Sequence, residues 1–221
     1  MGPWSGRQLA ALGAVAATLL ILVGALIPGS PPKFNADALK IINYFHGHHK
    51  KVLVQTVLVE AGVAILVGVV AQLAVLLRDA GHRAHAAVVG IAGAASLGAL
   101  GVGAGLYGGL SQLSTFGQES TAVPPLYRLI QFIGVAWSWT TLVIVLTVAL
   151  AAWKGAFPMW VAAANGVIAL LLLLGGLSVK GTGAFAAGTG AFASISAIAF
   201  LVWVVHLAVL FWWKPKPAIA S

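Results

Sequence analysis

Cysteine is absent from this 221-residue chain, so disulfides, iron–sulfur clusters, thiolate haem ligation and thiol chemistry are all excluded. Acidic residues are scarce as well: Asp37, Glu60, Asp79 and Glu119 stand against twelve Lys and Arg. Four scattered carboxylates make no pair for acid–base work, and no nucleophile–base constellation accompanies them. Charged residues of both signs amount to 7%, and 61% of the chain is hydrophobic. That balance leaves too few polar groups to cover a soluble globule of this size. Long polar stretches are missing too, the connections between apolar runs being about 6 to 23 residues, so no separate soluble domain is attached.

Six long apolar runs are present, at about 8–28, 52–77, 85–110, 127–152, 158–177 and 191–213. Each is near or above the ~20 residues that cross a bilayer core as a helix. The expected fold is all-α, a single polytopic domain built as a six-helix transmembrane bundle. The first run exceeds the 7–15 residues usual in a signal peptide and no clean small-x-small cleavage site follows it, so it reads as an uncleaved first helix. The net charge of +8 is scattered around both membrane faces, which suits anionic lipid headgroups and argues against nucleic acid.

An even number of spans puts both termini on one side. The basic residues divide evenly between the faces, so positive charge alone does not orient the chain. The terminal face has only the short turns RDAGHR and KGAF and collects Trp4, Trp153, Trp160, Trp212 and Trp213, an interfacial aromatic belt with Lys or Arg close by. Both termini are therefore expected in the cytoplasm of a bacterial plasma membrane.

Between the first two runs, NADALKIINYFHGHHKK offers Asn35 as the cap of a short amphipathic helix whose apolar residues Leu39, Ile42 and Phe45 recur at helical spacing. It is expected on the outer membrane surface. The third run carries two stripes of small residues, Gly101, Gly105 and Gly109, and Gly90, Ala94 and Gly98. Such stripes let helix backbones approach closely, so this helix is expected at the centre of the bundle. The Gly101 stripe also offers a contact for another membrane subunit or a second copy. The repeat GTGAFAA, GTGAFAS over 181–194 lacks the Lys and Ser/Thr of a nucleotide loop and reads as a mobile outer turn that re-enters slightly.

Few polar residues fall inside spans. Glu60 is the only acidic one, ~12 Å below the outer end of its helix, where an unpaired carboxylate costs several kcal/mol. Tyr107, Gln131, Ser138 and Thr140 are its expected partners. His206, Asn165 and Gln72 lie at similar inner depth and are read as one polar layer. The tryptophans Trp137, Trp139 and Trp203, deep in their spans, need acceptors for their N–H groups; with Phe132 and Phe200 they could line an apolar ligand pocket. His46, His48 and His49 suggest a metal at first sight, but only His46 and His49 have the i,i+3 spacing that lets ligands converge, and no third ligand is evident nearby except Asp37 or Glu119. No metal or other cofactor is therefore assigned.

Ala36-Asp37, Tyr44-Phe45, His48 and Lys51, followed later by Gly155-Ala156-Phe157-Pro158-Met159-Trp160, resemble the motif order of a broad group of uncharacterised integral membrane proteins from high-GC Gram-positive bacteria. The resemblance covers roughly residues 35 to 213, and the extra histidines at 46 and 49 depart from it. It implies the six-helix topology and no reaction.

Two functional classes remain. The first is a non-catalytic membrane protein that serves as an accessory or scaffold, or holds a lipid-like ligand. The second is a small proton-coupled transporter using Glu60, with His206 and Asn165 as an inner station.

Overall fold

A computed structural model describes residues 5–213, apart from the side chains of residues 117–119. The described residues form seven α-helices: α1 (Gly6–Leu26), α2 (Ala38–Gly47), α3 (His49–Asp79), α4 (Arg83–Leu113), α5 (Val123–Trp153), α6 (Met159–Gly176) and α7 (Ala191–Trp212), with one 3-10 turn at Gly117–Ala122. All but α2 are long and apolar enough to cross a membrane. The chain is a multi-pass membrane protein, and helices are the natural outcome because each satisfies its backbone polar groups within the segment.

The six spans form a closed ring. Each packs on the next in chain order, α1 on α3, α3 on α4, α4 on α5, α5 on α6, α6 on α7, and α7 returns to α1. On the terminal face the Arg7 guanidinium donates to the Trp213 carbonyl, so the start of α1 and the end of α7 meet. Trp153, Trp160, Trp212 and Trp213 gather at this end, with Trp160 and Trp213 edge to face at 6.0 Å; Trp4 lies outside the described residues.

Local chemistry sets the helix ends. Ser5 and Gln8 make a capping box at the start of α1, and Pro124 and Pro125 fill the first turn of α5, where a missing N–H costs nothing. The two short turns of the terminal face close alike. Gly81 and Gly155 take φ of 85° and 89°, and the next residues, His82 and Ala156, donate 2.9 Å bonds back to Leu77 and Ala151. This is the glycine-terminated closure that satisfies the last free carbonyls of a helix.

The opposite, loop face is built differently from the sequence expectation. The cap of α2 is Asp37, whose carboxylate accepts from the Lys40 amide at 2.7 Å, and not Asn35. Its buried stripe is Ile41 and Phe45, while Leu39 is exposed. The register shifts because α2 lies across the end of the bundle, where Ile41 and Phe45 pack with Val52, Leu110, Val123 and Tyr127 in a second small core. Tyr127 donates to the Pro32 carbonyl at 2.5 Å and ties the preceding loop to α5.

The placement of α4 is also corrected. A ring has no central helix, and α4 is the least buried span. Gly90, Gly98 and Gly109 face open space, whereas the tightest approaches of α4 to α3 come from Gly93, where a Cβ would overlap Val70, and Gly108, where it would lie 2.8 Å from Thr56 Oγ1.

Candidate functional site

Inside the ring, toward the loop face, lies a cavity of about 300 Å³ lined by residues from all six spans. Ile21 of α1, Val59 of α3, Leu100 of α4, Ile130 and Ile133 of α5 and Ala197 of α7 give it a mostly apolar wall. The wall is concave because small residues retreat from it: at Gly134 a Cβ would meet nothing within 4 Å, and at Gly103 only Ile133 at 3.7 Å. Among the described residues no Asp, Glu, Lys, Arg or His lines it.

Its hydroxyl groups mostly serve their own helices. Thr56 donates to the Val52 carbonyl at 3.0 Å, Ser138 to Gly134 at 3.1 Å and Ser196 to Ala193 at 2.9 Å. Two other lining residues have buried polar atoms without a partner, Trp137 Nε1 and Gln55 Oε1. Leaving such a donor or acceptor unsatisfied costs ~1–3 kcal/mol.

The loop between α6 and α7 roofs the cavity. Its backbone is held by bonds between Lys180 and Phe185 and between Ala187 and Lys180, and Ala187 is fully buried. Gly188, at φ 63°, sits so close to Gln131 that any Cβ would fall on the Gln131 amide. Phe34 of the first loop completes the roof, its amide donating to Thr189 Oγ1 at 3.0 Å and its ring meeting Phe132 edge to face. The two copies of the GTGAF repeat differ in conformation: the first makes the turn, while the second supplies Gly190 as the cap of α7 and then enters the helix.

Beneath the cavity Trp137 packs edge to face on Phe200 at 5.0 Å, and Phe200 on Trp203 at 6.2 Å. There follows a buried polar junction. Trp203 Nε1 donates to Asn165 Oδ1 at 3.0 Å, and Asn165 Nδ2 donates to the Val161 carbonyl at 2.8 Å and lies 3.2 Å from His206 Nε2. The sequence grouped Asn165 and His206 correctly by depth. Gln72 does not join them; its amide lies beside Gly6, at the start of α1. Of the aromatic residues proposed for a pocket, only Trp137 lines the cavity. Trp139 donates outward to the Gly176 carbonyl at 2.9 Å, Phe132 is exposed, and Phe200 and Trp203 are buried below.

Glu60 is placed differently again. Its half-buried carboxyl lies between α3 and α4, with its oxygens 3.5 Å and 3.4 Å from where Cβ atoms of Gly101 and Gly105 would be. It makes no hydrogen bond to Tyr107, Gln131, Ser138 or Thr140, and it does not line the cavity. Tyr107 lines the cavity and packs in an aromatic cluster with Phe45 and Tyr127. Tyr44 joins that cluster, and burial raises its phenol above the ordinary value, an effect Tyr107 partly offsets.

His46 and His49 face the carbonyl end of α4, where His46 Nδ1 is 3.1 Å from the Ser114 carbonyl and His49 Nδ1 is 3.1 Å from that of Ser111. Imidazole donors suit the free carbonyls of a helix end. His48 bonds Tyr44 in α2 instead. Among the described residues no third His, Asp or Glu joins His46 and His49. This capping role escaped the sequence reading because it depends on the crossing of α2 and α3 over the end of α4. Comparison with family models, curated proteins and solved structures finds no match to this chain.

Proposed function

We propose that this chain is a non-catalytic integral membrane protein whose helix ring encloses a lipid-like molecule. The observation that carries the proposal is the cavity of about 300 Å³ at the centre of the ring. It lies at the small end of the range for ligand sites, which suits one chain or ring system better than a whole two-chain lipid. The remaining features of the reading are a bacterial plasma membrane, cytoplasmic termini and a cavity in the outer half of the bilayer. Native mass spectrometry of gently solubilised protein tests it. Wild type is expected to carry a small-molecule adduct that Gly134→Leu loses, because that side chain enters open cavity space. The variant Gly68→Leu, also in open space but away from the cavity, is expected to keep it. No adduct in wild type, or the same adduct in Gly134→Leu, refutes the proposal.

A second reading, an accessory role beside another membrane subunit, is favoured by Glu60. A carboxyl within the hydrocarbon slab is costly when, as among the described residues, no side chain donates to it, and Gly101 and Gly105 leave room beside it for another helix. The same geometry weakens the carrier alternative. Glu60 lies outside the cavity, and the Trp137, Phe200 and Trp203 column stands between the cavity and the Asn165–His206 junction.

A further inference from the structure

We propose that the outside of the ring carries a site for an anionic phospholipid, with one acyl chain in a groove between α5 and α6 and the phosphate at Lys154 and Arg83. The groove, about 350 Å³, lies in the half of the bundle next to the terminal face. Ala149 and Ala162 form its floor, and Leu150, Trp153 and Met159, all exposed, form its rim. Side-chain size shapes it, because alanines on both helices retreat between larger apolar neighbours. From Leu146 to Trp153 it runs ~10 Å along α5. A groove between two helices already in contact takes a single chain more readily than a third helix, which is ~10–12 Å across with its side chains. Its exposed rim opens it to the bilayer, so its occupant exchanges with the surrounding lipid.

Charge decides which lipid. The groove ends at Trp153 and Met159, and the turn between α5 and α6 begins with Lys154. Because α4 and α5 are antiparallel neighbours, the turn between α3 and α4 reaches the same face. There His82 and His85 meet edge to face at 5.3 Å, and Lys154 lies within electrostatic reach of His85. The two adjoining turns bring together Arg78, Arg83 and Lys154 against Asp79. Asp79 is paired with Arg78 at 3.4 Å, the one ion pair among the described residues, which leaves Arg83 and Lys154, both exposed, without a counter-ion. An apolar groove that ends at an interfacial tryptophan and two unpaired cations matches an acyl chain topped by a phosphate. A zwitterionic lipid gains less, because it brings an ammonium of its own to the same place.

The chain has no cysteine, so a single cysteine at Val143, exposed on α5 one turn beyond the groove, carries a fluorophore that reads this site alone. The full-length protein is placed in vesicles of phosphatidylcholine and phosphatidylglycerol with identical chains, each lipid in turn carrying bromine on its chains as a quencher. Phosphatidylglycerol is expected at the reporter at least ~tenfold above its share of the bilayer, the scale of two cations acting on one anionic headgroup. A fluorophore at Val67, exposed on α3, is expected to see no preference. Arg83→Gln/Lys154→Gln is expected to cut the preference at Val143 to below ~threefold, while Lys50→Gln/Lys51→Gln, the same loss of charge on the loop face, preserves it. Ala163→Phe fills the groove from an exposed position without touching a charge, and is expected to abolish the preference; Ala64→Phe, at an exposed position on α3, is expected to keep it. Equal quenching by the two lipids at Val143, the same preference at Val67, or a preference that survives Arg83→Gln/Lys154→Gln or Ala163→Phe overturns the proposal.

Discussion

The contact between α6 and α7 beside the cavity is tight enough that one methyl group should be felt. A Cβ at Gly175 would overlap both Oγ and Cβ of Ser196 and lie 3.1 Å from Ser138 Oγ. Because the overlap includes the Ser196 Cβ, no rotamer of that serine relieves it, and α7 must move away from α6. Overpacking of this kind costs ~1–3 kcal/mol. Alanine also gains ~0.5–1 kcal/mol over glycine inside a helix. Gly166, on the same helix, has nothing within 4 Å of its Cβ position and supplies the propensity term alone. Gly166→Ala is therefore expected to stabilise slightly, and Gly175→Ala to fall below it by the whole overpacking cost, ~1–3 kcal/mol. Reversible unfolding in mixed micelles measures the difference. The double variant Gly175→Ala/Ser196→Gly transfers the bulk across the interface and should recover most of the loss, a coupling that isolates the contact. Equal stabilities of Gly166→Ala and Gly175→Ala, or no rescue by Ser196→Gly, would refute the close packing of α6 on α7.

Three further outcomes are expected. A hydrophobic carboxyl-modifying carbodiimide should modify Glu60 in detergent-purified protein and leave it protected in native membranes if a partner helix covers it; equal labelling in both, read by peptide mass spectrometry, removes the accessory reading. Asn165→Ala should lower stability by ~2–4 kcal/mol, because it strands the Trp203 N–H and opens a void at a fully buried position, and a melting curve unchanged from wild type would refute the junction with Trp203 and His206. Cysteine placed at Thr115, on the loop face, should react with an impermeant thiol reagent added outside intact cells while cysteine at Ser5 does not, and the opposite pattern inverts the proposed orientation.

The number and order of the spans were readable because hydrophobic length is a local property of the chain. What the spans enclose was not. Gly93, Gly103, Gly108 and Gly134 are all glycines in apolar helices, yet two press against α3 and two open the cavity wall, a distinction set by helix rotation in the ring. The depth of Asn165 and His206 could be counted along their helices, and α6 lies beside α7. Gln72 has similar depth but sits across the ring beside α1, because depth carries no information about angular position. Glu60 was legible as an anomaly for the same reason that its partners were not. A carboxylate in an apolar run is visible in the sequence, whereas the direction it faces depends on the α3–α4 crossing.

The energetics of the cavity bear on how the ring works. A wall that faces empty space loses the dispersion contacts a packed interior supplies, and about 300 Å³ is far more than the few small voids of an ordinary core. A single alanine-sized adjustment at Gly103 or Gly134 would shrink it, and neither position meets a backbone or side-chain obstacle. Water offers only partial relief, because the lining hydroxyls already donate within their own helices and a buried water needs two to four polar partners. A filled cavity removes the deficit at once, because apolar substance restores the dispersion contacts of the wall. The ring is thus expected to lose stability when its content is extracted. Repeated detergent exchange should lower the melting temperature of wild type and leave Gly134→Leu, which carries its own filling, nearly unchanged. An equal loss in both proteins would show that the stabilising lipid sits on the outside of the ring.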